Sequence, residues 1–253
     1  MLPRGWKDLL RQIVLFCGAY WLYRLVRGQV DGRAAAAFAN AREIVDFERS
    51  LGLFVEPGIH QWTERNAWVL DAATWMYVNS HFVITTFTLA WLYLRRNERF
   101  YGIRDMFLVA MGIALVGYIV FPTAPPRFLP ELGFHDPVAA LSGAETANAL
   151  VNPYAAVPSM HVAFALMLGV PMARIARHTW VRGLWCAYPL VVTFVVVSTA
   201  NHWWFDAFLG AATAAVAALA AYPGARMAAA WPRLLPSGRR VSAASTQSSR
   251  NSG

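Results

Sequence analysis

The sequence predicts an all-helical integral membrane bundle of about six transmembrane helices, with an amphipathic helix at the membrane interface after the first span. Three observations carry that prediction. Hydrophobic residues make up 57% of the 253-residue chain, and the mean hydropathy is +0.38. Charged residues are only 14%, where a soluble domain carries about a quarter. The apolar residues also gather into blocks close to the ~20 residues that cross a bilayer as a helix, whereas a soluble core scatters them.

The first block, 9–26, follows Arg4 and Lys7 and contains Arg11. It reads as a retained helix and not as a signal peptide, because Arg24 interrupts its end and no small-residue cleavage site follows at once. Residues 28–67 are more polar. Within them Phe38, Ala41, Ile44, Val45 and Leu51 recur at helical spacing, with Arg42, Glu43, Asp46 and Arg49 on the other face. That pattern is an amphipathic helix, lying at the interface or packed on the bundle. Five further spans are expected at 68–94, 106–121, 158–173, 184–200 and 203–222. The chain thus divides into a cytoplasmic N-terminus with its first helix (1–27), an extracytoplasmic segment (28–67), a transmembrane core (68–222) and a largely disordered cytoplasmic tail (223–253). Cys17 and Cys186 fall inside apolar blocks and read as small buried hydrophobes.

The net charge is +8, and Lys7 is the only lysine. No basic stripe is interleaved with aromatics, so nucleic acid is excluded as a partner. In a membrane chain the cations set orientation. The 95–104 and 174–182 loops and both termini are basic, hence cytoplasmic; 28–67, 122–157 and 200–204 then face outward. Pro158-Ser159-Met160-His161, His202 with Asp206, and Phe121-Pro122-Thr123-Ala124-Pro125-Pro126-Arg127 fall at that outer end.

Ionisable groups among apolar spans are costly and mark function. If Asn201 opens a helix, His202 and Asp206 share one face, and the carboxylate can take the imidazole Nδ1–H. Nε2 is then a directed lone pair, suited to a nucleophile or a metal ligand. Pro158 is expected at the first turn of a helix, with Ser159, Met160 and His161 beside it. Val157 cannot cap that turn, so its N–H groups and the Ser159 hydroxyl either form an anion site or are capped by water. Arg127, after two prolines, can hold two phosphate oxygens. His161, His202 and Asp206 also make a two-histidine, one-carboxylate set that a metal could use. Asn79 and His81 lie inside a span and are expected to bond a neighbouring helix. Asp71 and Glu64 sit near the outer surface. Trp203 and Trp204 read as interface anchors. His60, His135 and His178 have no supporting context.

Pro158-Ser159-Met160-His161 resembles the second signature of the type 2 phosphatidic acid phosphatase superfamily, and His202-x3-Asp206 the end of its third. The 121–127 motif resembles the branch containing inositol phosphorylceramide synthases, as does Phe47-Glu48-Arg49-Ser50-Leu51-Gly52 with Glu56-Pro57. The resemblance covers about 40–222 and implies that 68–222 holds the catalytic core. It implies that His202 attacks phosphorus to give a phosphohistidine, that Asp206 orients it and that His161 protonates the leaving oxygen. Arg127, Ser159 and Met160 would bind the phosphoryl group. It implies no metal and no cofactor. The implied partners are a lipid phosphate or phospholipid, an alcohol acceptor such as inositol, and the bilayer, with the active site on the outer face of the plasma (inner) membrane. Two departures stand out. Arg127 is followed by Phe128 and preceded by no lysine, and Val195 and Val196 occupy the places of a Ser-Arg pair. The loss of those cations suits a phosphodiester or a lipid-to-alcohol transfer better than a dianionic monoester. Arg42, Arg49 or Arg65 could replace the charge. A metal-dependent hydrolase and a lipid transporter are the rival readings. Transporters place polar residues near the midplane, whereas here they gather at one face.

The orientation is testable. With Cys17 and Cys186 replaced, a cysteine at Leu132 is expected to react with an impermeant thiol reagent added to intact cells, and one at Asn97 is not. The reverse labelling would put the site on the cytoplasmic side.

Overall fold

A chain this apolar satisfies its backbone groups internally, and helices do so without partners. In the computed structural model, which describes residues 2–28, 33–142 and 154–234, the fold is all-helical. The helices are α1 (Gly5–Gly28), α2 (Ala34–Ser50), α3 (Glu56–Glu64), α4 (Ala67–Trp75), α5 (His81–Arg95), α6 (Asn97–Val120), α7 (Pro137–Ser142), α8 (Met160–Ile175), α9 (Thr179–Ser198) and α10 (Trp204–Leu234). The stretch expected as one span at 68–94 is a continuous run in which a π-helical turn, Met76–Ser80, joins α4 to α5. The tail call from 223 onward falls largely outside the described residues, and α10 continues to Leu234.

Among the described residues, three helices are long and apolar enough to cross a membrane: α6, α9 and the Trp204–Ala221 part of α10. The helix α8, with 16 residues, is apolar but shorter. Large apolar side chains face outward around the bundle, among them Phe87, Leu190, Phe208 and Leu219, all more than two-thirds exposed. In water such a surface would aggregate; in a membrane it is the solvated face. Cys17 and Cys186 are on that outer surface too, contrary to expectation. Hydrophobicity does not predict burial in a protein whose solvent is lipid.

The interior has two regions. Around Phe107, Ala110, Ala114, Ala163, Met167 and Leu168, helices α5, α6, α8 and α10 pack with many small residues. Beyond the C-terminal end of α6, a second cluster joins Ala37, Ala41, Ile44 and Val45 of α2 to Ala124, Leu129, Phe134, Val157, Ala200 and Trp203. So the apolar face of α2 is spent on protein contacts, while Arg42, Glu43, Asp46 and Arg49 remain exposed. Trp203 is fully buried there, and its indole N–H donates to the Ala124 carbonyl at 3.1 Å. It is therefore a core residue and not the expected interface anchor. At the other end, Trp91, Arg95, Arg96 and Arg177 line one shallow recess, so the two basic loops share an end of the bundle.

Gly210 is where α10 meets the segment leading into α8. A Cβ there would sit 2.3 Å from the Ser159 carbonyl oxygen. Gly210→Ala is expected to lower the thermal unfolding midpoint in detergent, since overpacking costs about 1–3 kcal/mol. Gly112→Ala in α6, where a Cβ meets nothing within 4 Å, should leave the midpoint unchanged or higher. Equal behaviour of the two variants would contradict the close approach of α8 and α10.

Candidate active site

The site is built around the N-terminus of α10, whose first N–H groups have no intrahelical acceptor. Asp206, in the first turn, reaches back to the Trp203 N–H at 3.0 Å. This is the acidic half of a capping box. The Trp204 N–H donates to Glu56 Oε1 at 3.1 Å and the Phe205 N–H to Glu48 Oε1 at 2.8 Å. Three buried carboxyl groups from α2, α3 and α10 thus close one helix end. The same Asp206 Oδ2 lies 3.2 Å from His202 Nδ1. The pairing expected from the four-residue spacing is present, but not within a helix: α10 starts at Trp204, and His202 stands in the turn before it. Neither Asn201 nor His202 opens the helix. Their backbone N–H groups both donate to the Val196 carbonyl, at 2.9 and 3.0 Å.

The α8 terminus differs from expectation in a related way. Pro158 lies outside the helix, which begins at Met160. Ser159 is the cap, and its hydroxyl accepts the Val162 N–H at 3.5 Å. The serine is fully buried, and its own N–H donates to the Asp206 carbonyl at 3.0 Å. The two helix starts are thereby bonded to each other. His161, half-buried, presents its ring to His202 with centroids 5.7 Å apart. On its other side it stacks on Tyr77 at 4.7 Å and tilts against His81 at 4.8 Å. Tyr77 comes from the π-helical turn, a distortion often found at functional sites. His81 Nδ1 pairs with the Tyr188 hydroxyl of α9 at 3.2 Å, the neighbouring-helix bond expected of it. Asn79 instead caps back onto its own helix at Trp75.

Arg127 joins the same site. Its N–H donates to the Ala200 carbonyl, Nη1 donates to Asn201 Oδ1 and Nε lies 3.4 Å from Asp136 Oδ2. The guanidinium is therefore fixed in direction from two sides. Its segment is pinned to the bundle: Asn40 donates to the Pro122 carbonyl, and Ala124 to the Ala37 carbonyl. Arg42 and Arg49 are exposed and paired with Glu131 and Asp46. Val195 and Val196 are both buried, Val196 in a cluster with Val162, Tyr188 and Ala207. The structure accordingly brings His161, His202, Asp206, Arg127, Ser159 and Met160 to one end of the bundle. Among the described residues, the donor atoms that converge within metal-binding range are those of His60, Glu64 and His135, not those of His161, His202 and Asp206.

Glu48, Glu56, Asn201 and Tyr77 were not singled out as site residues from sequence. Glu48 did carry a signal, for it lies on the apolar face of α2 with Ala41, Ile44 and Val45. Burial, then a hydrogen bond with and repulsion from Glu56, push its carboxyl up to about 9. The Oε2 atoms of both glutamates have no other hydrogen-bond partner, so a proton held on Glu48 can be shared with Glu56.

The pH dependence follows from that proton. Unfolded, Glu48 ionises near 4.5; folded, it holds its proton to about 9. Between those values the folded state binds more protons, so stability falls as pH rises. Glu48→Gln imitates the protonated acid and removes that contribution. Its midpoint should match the wild type at the acid end of the window and exceed it increasingly toward the alkaline end. Parallel profiles would mean that folded Glu48 is ionised.

No curated protein and no solved structure matches the chain. A family model described as the PAP2 superfamily matches residues 42–220. The match spans every site residue named above, from Glu48 to Asp206, and the chain belongs to the PAP2 superfamily.

Proposed function

We propose that this protein is a membrane enzyme that cleaves or transfers the phosphoryl-type headgroup of a lipid phosphate or phospholipid, through a phosphohistidine on His202. Membership of the superfamily suggests phosphatase or phosphotransferase activity. The observation that carries the finer reading is the His202–Asp206 pair facing the ring of His161 beside Arg127. Asp206 accepts the Nδ1–H and leaves the Nε2 lone pair of His202 to attack phosphorus. The bond from phosphorus to the leaving oxygen breaks as the P–N bond forms. His161, as imidazolium, gives its proton to that oxygen. Water or an alcohol hydroxyl then attacks the phosphohistidine, His161 takes the incoming proton and His202 is released. Arg127 Nη2, the Ser159 hydroxyl and the Met160 N–H at the start of α8 hold the non-bridging oxygens. Such chemistry is mostly positioning and electrostatics, and the general acid should be worth about 10²–10⁴ in rate.

One organised arginine, with valines at 195 and 196, fits a phosphoryl group of low charge. That favours a phosphodiester substrate, or transfer to an acceptor such as inositol as in inositol phosphorylceramide synthases, over a monoester dianion. The six-span layout, the interfacial position of α2 and the outward-facing site on the plasma membrane belong to the same proposal. They are supported by the basic ends of α5, α6 and α8 lying away from the site.

The test is a single-turnover reaction of purified protein with labelled lipid phosphates and phosphodiesters, with and without inositol. His202→Ala should abolish any acid-labile phosphoenzyme. His161→Ala should slow turnover by about 10²–10⁴ while still forming the intermediate with a good leaving group. Asp206→Asn should cost much rate; the equivalent change in a serine-hydrolase triad costs about 10⁴. Near wild-type turnover in His202→Ala would refute the mechanism.

A further inference from the structure

His60 and Glu64 are four residues apart, so both point from one face of α3. His135 reaches them from the loop before α7. The His60 side chain is fully buried, Glu64 is partly covered and His135 is 72% exposed. His60 Nδ1 lies 2.8 Å from the Ser198 carbonyl oxygen. A carbonyl only accepts, so Nδ1 carries the proton and Nε2 is a lone pair. The His135 N–H points at that lone pair from 3.1 Å, which fixes the same tautomer independently. Yet Nε2 also faces Glu64 Oε1 at 3.4 Å. The two acceptor atoms thus approach each other with no proton between them, each held instead by His135: Nε2 by its backbone N–H and Oε1 beside its Nδ1. Glu64 Oε1 is in turn 2.8 Å from His135 Nδ1, and all three atoms lie within 4.8 Å of one another.

We infer that His60 Nε2, Glu64 Oε1 and His135 Nδ1 form a binding site for a divalent transition metal of the zinc type. A cation at their centre would coordinate both acceptors, taking the Nε2 lone pair in place of the His135 N–H. Two neutral imidazoles and a carboxylate are a borderline donor set, suited to zinc and not to calcium or magnesium. The Ser198 carbonyl already plays the outer part that orients a ligating imidazole. Metal–donor bonds of about 2.0–2.2 Å at tetrahedral angles put donors about 3.3–3.5 Å apart. The His60–Glu64 separation fits that spacing as it stands. His135, 72% exposed, has room to adjust its ring to that spacing.

This site is separate from the phosphoryl chemistry, and no catalytic step passes through it. It would staple α3 to the loop whose next residue, Asp136, holds Arg127 Nε. Through Ser198 it also touches the end of α9, four residues before His202. A bound metal would therefore tighten the arginine that faces substrate.

The experiment uses the full chain, purified in detergent by a tag free of histidine, stripped with a chelator and dialysed against zinc. One zinc per chain is expected, and cobalt in its place should give the intense visible absorption of tetrahedral coordination. His135→Ala, which removes an exposed side chain and spares the fold, should weaken zinc binding by at least about 10²-fold. Glu64→Gln, close to isosteric, should do the same. Zinc should raise the unfolding midpoint of the wild type and not of either variant. Zinc retained no better by the wild type than by the two variants would overturn the inference.

Discussion

The end of α10 holds the molecule together. A helix that starts inside protein leaves N–H groups that must find acceptors, and no serine, threonine or asparagine stands at the right place to cap it. The acceptors are Asp206 from the helix itself, Glu56 from α3 and Glu48 from α2. Each N–H-to-carboxyl bond is of the stronger sort, about 1.5–3 kcal/mol where the acceptor is charged. The repulsion among three buried acids is limited by the proton that Glu48 retains. Because Asp206 also holds His202, and its carbonyl holds Ser159, the capping arrangement and the proposed reactive arrangement are one structure.

Much of this was legible in the sequence, and the failures share a cause. The apolar face of α2, the His202–Asp206 pairing and the gathering of 121–127, 158–161 and 202–206 at one end all follow from spacing and hydropathy. The starts of α8 and α10 were misplaced because local rules assign caps to local residues. At α8 the cap is Ser159 and not a residue before the proline; at α10 two of the three caps come from about 150 residues away. Trp203 was read as an interface anchor because aromatic pairs at span ends usually are. Its burial depends on Phe54 and Phe134, which stack against it from separate segments. The histidines at 60 and 135 had no context in one dimension because their meeting depends on how α3 lies against the 126–137 loop.

The departures from the superfamily's signatures also acquire a physical sense. Where a Ser-Arg pair would bring a cation, two buried valines stand, and Val196 packs between α8 and α9. What charge remains is concentrated in Arg127, which Asn201 and Asp136 hold from two sides. One well-oriented guanidinium in a dry site can discriminate by geometry, while several would discriminate by charge.

The carboxyl caps have a consequence for how the protein is made. Glu48 and Glu56 are synthesised early, and the N–H groups they accept from lie 157 and 148 residues later, respectively. Chains emerge N-terminus first, and contacts this distant in sequence close late. Until α10 arrives, the nascent protein carries two neighbouring acids with no donors to meet. It also lacks His202 and the carbonyl that steadies Ser159. A ribosome-bound or truncated chain therefore has no assembled centre, and completion of the last helix is the event that brings the site into being.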